Sequence, residues 1–245
     1  MSTHSVSVRY APGYARCRRQ LAVQLDALLA AAGAANTAAP AEFHIEFDRH
    51  GAALRCAALP CHAPYQVSLN RARAGPGAAD PLRKAIGARA ATVIDATAGW
   101  GTDAARLAGW GYRVTAVEKH PLVAALLLHA HAQCRDADLR ARLKVVHGDS
   151  AAYLGAVACA PDVVYLDPMY PPNPKSAAAK KPLALLRRLA GPPGDNRALF
   201  EAALACARRR VVVKRPHRAP PLDDRRVGEI AGKLVRFDIY KPAAA

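Results

Sequence analysis

From Thr92 onward the chain alternates short apolar strands with helical segments, and this alternation constrains the fold more than any other feature. TVID (92–95), YRVTAV (112–117), LKVVH (143–147), DVVYL (162–166) and VVVK (211–214) are near-continuous apolar runs. The segments between them, 102–109, 121–134, 151–157 and 197–208, are rich in alanine and predict helices. Strands that are apolar throughout, with no polar face, belong to parallel sheets covered by helices on both sides. The expected fold class is α/β: a Rossmann-like, doubly wound sheet over 92–245. A last stretch, LVRFDIY (234–240), follows glycine breaks at Gly228 and Gly232 and is expected to pair antiparallel at the sheet edge.

The preceding residues read differently. Leu21, Leu25, Leu28 and Leu29 recur at helical spacing and predict a helix over 15–35. FHIEFD (43–48) alternates strictly and AALRCA (52–57) follows a His50-Gly51 turn, which predicts a hairpin. Residues 1–70 are therefore expected to form a small α+β lobe. Residues 71–91 are a linker, with RARAGPGAADP (71–81) as loop and a short helix from Pro81 to Gly87. No apolar run approaches the roughly 18 residues a membrane span needs. MSTHSVSVRY lacks a basic start followed by an apolar block, so no secretory signal is expected and the protein is placed in the cytoplasm. Cys56 and Cys61 with His62 have no matching second pair, so no metal site is expected.

At the first strand-to-helix turn the chain reads Asp95-Ala-Thr-Ala-Gly99-Trp-Gly101-Thr102-Asp103. Glycines there let a ligand approach the backbone. Glu118 ends the second strand, placed to accept from ribose hydroxyls, and Asp149-Ser150 end the third, near an adenine edge. A glycine turn with a downstream acid suits NAD, FAD or S-adenosyl-L-methionine alike. Ala104 stands where a dinucleotide fingerprint has its third glycine. Asp95 would repel an anionic pyrophosphate but suits the ammonium of S-adenosyl-L-methionine, directly or through water. Asp103 fits the same logic, or else stabilises the start of its helix as an acid in the first turn.

The fourth strand ends in Asp167-Pro168-Met169-Tyr170. Ligands of doubly wound sheets bind beyond the carboxyl ends of the strands, where the strand order reverses. Asp95 and Asp167 should thus face one crevice. The exocyclic amine of a nucleobase is a poor nucleophile because its lone pair is delocalised into the ring. Asp167 and a carbonyl at Pro168 or Met169 would accept its two N–H groups, aim the lone pair and stabilise developing charge. Tyr170 would stack on the extruded base. Adenine and guanine amines both fit these residues.

Charge points to the same ligand class. The chain carries 35 Lys+Arg against 19 Asp+Glu, a net +16. Between Lys175 and Arg218 lie 12 basic residues and two acids, directly after the Asp167 motif. Such a tract is an electrostatic footprint for polyanions. Lys175, Lys180, Lys181, Lys214 and Arg215 are the candidate phosphate contacts.

DATAGWGTDAARLA (95–108), VYLDPMYPPNPKSAAAKK (164–181), VVVKRP (211–216), APPL (219–222) and RFDIY (236–240) together closely resemble the RsmJ family of bacterial 16S rRNA guanine-N(2)-methyltransferases. The likeness covers roughly residues 80–241. It implies a class I S-adenosyl-L-methionine-dependent methyltransferase that modifies a guanine 2-amino group near the 3′ end of small-subunit rRNA, releasing S-adenosyl-L-homocysteine. It implies cofactor contacts at Thr102, Asp103, Glu118, Lys119, Asp149, Ser150 and Asp167. The partner would be 16S rRNA or the small ribosomal subunit, met by a monomer without an obligate protein partner. Three positions depart from the family pattern. Thr102 replaces a usual Arg, NRARAGPGAADP (70–81) lacks the usual phenylalanine, and Tyr170 replaces the commoner Phe.

Overall fold

A computed structural model of the chain describes residues 6–10, 42–48, 51–58, 65–71, 79–169, 181–190 and 196–242. The helix expected over 15–35, together with Tyr170, Lys175 and Lys180, lies outside the described residues.

Two sheets are present. The smaller has strand order β1-β2-β3-β4, from Val6–Tyr10, Phe43–Asp48, Gly51–Cys56 and Tyr65–Gln66. The β2–β3 hairpin forms as expected, with Phe43 opposite Cys56. β1 adds a parallel partner to β2, and β4 closes the other side. The alternation of FHIEFD buries Phe43 and Ile45 completely, together with Leu54 from β3.

The larger sheet contains β5 (Thr92–Asp95), β6 (Arg113–Glu118), β7 (Leu143–His147), β8 (Val163–Leu166), β9 (Arg210–Pro216), β10 (Arg226–Ala231) and β11 (Val235–Tyr240). Its order is β10-β11-β9-β8-β5-β6-β7. β5 to β9 are parallel, and the order reverses between β5 and β8. β11 is antiparallel to β9, as the sequence predicts, but it is not the edge. β10 lies outside it, and its half-exposed, alternating residues fit an edge strand.

Helices cover both faces. They are α1 (Pro81–Ile86), α2 (Thr102–Gly109), α3 (Pro121–Ala132), α4 (Ala137–Arg142), α5 (Ser150–Ala156), α6 (Lys181–Ala190) and α7 (Asn196–Cys206). Aspartates cap three of them. Asp80 accepts from the Leu82 N–H, Asp136 from Leu139 and Asp149 from Ala152, each at 2.9 Å. On one face α5 and α7 bury Leu154, Phe200 and Leu204 against Ile94, Val164, Leu166, Val211 and Val213. On the other, α1, α2, α3 and α6 pack over Val93, Val163, Tyr165 and Val212, and the small sheet joins the same cluster. That sheet is tied down by the Ala52 N–H, which donates to the His129 ring of α3 at 3.2 Å, and by Tyr65 against Trp100 with ring centroids 5.0 Å apart. Among the described residues no helix is long and apolar enough to cross a membrane.

Candidate active site

The site follows from strand periodicity. Side chains two apart share a face of a sheet. Val93 lies in the α2-side cluster, so Asp95, two residues on, points the same way. On β8, Val163 and Tyr165 face α2, and the alternation carries on to Asp167. On β9, Val212 faces α2 and is followed two residues later by Lys214. Leu166 pairs with Val213, so the next step along both strands brings Asp167 beside Lys214. Asp103, in the first turn of α2, sits above this row. Three acids, one lysine and one tyrosine therefore meet at the carboxyl end of the sheet, beside the strand-order reversal.

Their contacts are specific. Lys214 Nζ donates to Asp167 Oδ2 at 2.8 Å and to Asp103 Oδ2 at 2.9 Å. The Tyr165 hydroxyl donates to Asp103 Oδ2 at 2.8 Å, and Arg106 donates to Asp103 Oδ1 at 3.0 Å. Arg106 also pairs with Asp80, the cap of α1. Thr97 joins the two sides of the crevice. Its N–H donates to Asp95 Oδ1 at 3.1 Å, and its hydroxyl accepts from the Asp167 N–H at 2.6 Å.

These neighbours set the protonation of each acid. Burial raises Asp95 to about 8, reinforced by the negative charges of Asp103 and Asp167 and only partly offset by the Thr97 N–H and Lys214. Burial also pushes Asp103 upward, but Lys214, Tyr165 and Arg106 outweigh it and hold Asp103 below the ordinary value. Asp167 is raised by burial and by Asp103, against the pull of Lys214. Lys214 is raised despite its burial because two carboxylates face it. Tyr165 is raised well above its ordinary value by burial and the surrounding acids, so its hydroxyl remains a donor.

The glycine turn is built from the protein's own packing. Gly99 and Gly101 have φ of +52° and +75°, the left-handed region that glycine tolerates. The space left by their missing side chains is filled by protein, since a Cβ would lie 3.1 Å from Leu186 at Gly99 and 2.4 Å from Leu127 at Gly101. Glu118, expected at the ribose, fixes this turn. Its two oxygens accept from the Gly99 N–H at 2.8 Å and the His120 N–H at 2.7 Å. Burial raises its pKa, partly offset by those same N–H groups. Each carboxylate oxygen keeps a second lone pair for a ligand hydroxyl.

Among the remaining candidates, Thr102 is exposed at the first position of α2, and Lys119 is exposed after β6. Asp149 caps α5 and Ser150 is buried behind it. Pro168 is buried and Met169 half-buried beside Asp167. Two of the candidate phosphate contacts are engaged inside the protein. Lys214 is in the ion-pair network, and Arg215, 6% exposed, donates to the Pro220 carbonyl. Their position in a basic tract suggested a surface, but strand alternation sends adjacent residues to opposite faces and both are covered. Thr97 and Tyr165 were not among the sequence candidates. Continuing the period-two pattern from Val163 would have placed Tyr165 in the crevice, whereas no comparable signal marked Thr97.

The donor set suits S-adenosyl-L-methionine. Asp95 is a buried carboxyl with one N–H donor among the described residues, so a cation beside it is favoured over an anion. Asp167 is 37% exposed at its side chain.

Comparison with known proteins points to the same cofactor. Residues 62–242 match the family model described as "Putative SAM-dependent methyltransferase". The ribosomal RNA small subunit methyltransferase J of Thioalkalivibrio sulfidiphilus is 41% identical, over 98% of this chain and 99% of that protein. That of Pseudomonas paraeruginosa is 44% identical over 73% and 72%. The crystal structure of a SAM-dependent methyltransferase from Neisseria gonorrhoeae superposes with a TM-score of 0.76 and 28% identity, covering 98% of this chain and 97% of that one.

Proposed function

The chain belongs to the ribosomal RNA small subunit methyltransferase J family, and from that premise we propose that it transfers a methyl group from S-adenosyl-L-methionine to the exocyclic 2-amino group of a guanine in 16S rRNA. The observation that carries this reading is Asp167. It is a hydrogen-bonded, part-exposed carboxylate at the strand-order reversal, held beside a buried acid suited to a cationic cofactor.

When bound, S-adenosyl-L-methionine supplies an electrophilic methyl group and leaves as S-adenosyl-L-homocysteine. Asp95 would hold the positive methionine end, and Glu118 would meet the ribose with its remaining lone pairs. Asp167 accepts one N–H of the guanine amine, and a carbonyl at Pro168 or Met169 accepts the other, so the nitrogen lone pair turns out of the ring plane toward the methyl carbon. As the N–C bond forms, the same acceptors stabilise positive charge on nitrogen. One of these N–H protons then leaves through Asp167 to water. Tyr170 stacks on the extruded base, and Lys175, Lys180 and Lys181 hold flanking phosphates. The reaction takes place in the cytoplasm on the small subunit or its rRNA, with the enzyme as a monomer.

The test is incubation with labelled S-adenosyl-L-methionine and under-methylated small subunits, followed by nucleoside digestion. Label in N2-methylguanosine is expected, and label in N6-methyladenosine would reassign the base. Asp167→Ala should abolish turnover with RNA affinity nearly unchanged. A fully active variant would remove Asp167 from the mechanism.

A further inference from the structure

An unbroken row of alternating charges runs from the linker helix to the reaction centre: Asp80, Arg106, Asp103, Lys214, Asp167. The members are not equivalent. Both oxygens of Asp103 are engaged, one by Arg106 and the other by Lys214 and Tyr165. Asp167 differs: Lys214 takes Oδ2, while Oδ1 accepts no hydrogen bond among the described residues and the side chain is 37% exposed. Its backbone N–H is fixed separately by Thr97.

We propose that Lys214 is a positioning residue for methyl transfer, which clamps Oδ2 of Asp167 so that Oδ1 alone meets the substrate amine, and which keeps that carboxyl ionised. The proposal rests on the function inferred above. The groups facing Asp167 are Asp95 from β5, Asp103 from α2, Tyr165 from its own strand and Lys214 from β9. Among the described residues Lys214 is thus the cation that faces Asp167, beside two other acids. Without it, burial and Asp103 would raise Asp167 further and favour its protonated form. A protonated carboxyl offers an O–H to the amine nitrogen and occupies the lone pair that must attack. It also loses acceptor capacity for the amine N–H. Lysine suits the role because its ammonium is a compact point charge that can take one oxygen. A guanidinium would bridge both oxygens and cover Oδ1. Asp103 serves as the fixed anchor on the far side of the lysine, locked by Tyr165 and Arg106.

The test pairs kinetics with a direct titration. Lys214→Met should lower kcat about a hundredfold with KM for RNA and cofactor changed only a few-fold, the scale expected when a reacting group is misplaced. The acidic limb of its kcat–pH profile should move up by about one unit or more. Lys214→Arg should restore the position of that limb but not kcat. A purely structural role would reduce the folded fraction and leave the limb in place. Carbon-13 NMR titration of the Asp167 carboxyl reads the clamp without substrate, and its midpoint should rise in Lys214→Met but not in Lys214→Arg. Lys214→Gln replaces the methionine variant if that fails to fold. An unmoved midpoint in the uncharged variant, or an unchanged kcat, overturns the proposal. Wild-type enzyme that labels no rRNA overturns the proposed function instead, and the titration still decides the clamp.

Discussion

The backbone N–H of Asp167 donates to the side-chain hydroxyl of Thr97 at 2.6 Å, so the acid at the reaction centre is hung from the cofactor turn. The Thr97 N–H holds Asp95 at 3.1 Å, which makes one residue set the spacing of both acids. Thr97→Val removes the acceptor and leaves that N–H unsatisfied, at a cost of about 1–3 kcal/mol. We expect kcat to fall about tenfold with the geometry loosened. Thr97→Ser should recover most of both. Urea denaturation and single-turnover kinetics check the two effects.

Cofactor affinity should depend on pH through Asp95, which binds the ammonium as a carboxylate but titrates at about 8 in the free protein. Below that pH, affinity should rise about tenfold per unit, because binding must expel a proton. Calorimetry in buffers of different ionisation enthalpy should detect the release at pH 7, and Asp95→Asn should abolish it while weakening binding. The sign for stability is opposite. Between the ordinary value of 3.8 and about 8 the unfolded chain has lost this proton and the folded one keeps it. The contribution of Asp95 to stability therefore falls as pH rises through that window.

Gly101→Ala should destabilise the protein by roughly 2–4 kcal/mol, from left-handed strain together with overpacking. Its φ is +75° and the new Cβ would lie 2.4 Å from Leu127 Cδ1. Gly111 provides the control. Its φ is +98° but nothing lies within 4 Å, so Gly111→Ala should show the strain component alone, about 1–3 kcal/mol. Denaturation midpoints of the two variants separate strain from crowding.

Salt dependence should distinguish cations that contact phosphate from structural ones. Lys180→Gln and Lys181→Gln should each flatten the plot of log affinity for rRNA against log salt by about 0.7–0.9, one released counterion apiece. Arg215→Gln should leave that slope unchanged and lower stability instead, since its guanidinium serves the Pro220 carbonyl.

The parallel sheet was legible because its strands are buried on both faces and carry nearly unbroken apolar runs. Three elements of the sheet domain were not: β10, α6 and the six-residue α4 (Ala137–Arg142), which is too short to show a helical apolar period. β10 holds Gly228 and alternates half-exposed with exposed residues, so its pattern resembles a loop. α6 lies inside the basic tract, where Arg187 and Arg188 drew attention away from Leu185 and Leu189, both buried. The acids of the site could be read from strand ends, whereas the engagement of Lys214 depends on the β8–β9 register, which no single stretch of sequence displays. The segments APPL and RFDIY, which helped mark the family, also have structural work. Arg236 donates to the carbonyls of Pro216, His217 and Ala219, and the Tyr240 hydroxyl accepts from the Leu222 N–H at 3.1 Å.

The order of strands has a consequence for biosynthesis. β11 emerges from the ribosome after β10 yet sits between β10 and β9. Until it arrives, the Val211–Val213 stretch of β9 presents an unpaired, apolar edge, and β10 has no partner in the sheet. A nascent chain halted before residue 235 would carry such an edge into the cytosol, where exposed strands recruit one another. A chain released before β11 has been made would therefore be an aggregation-prone fragment rather than partly active enzyme.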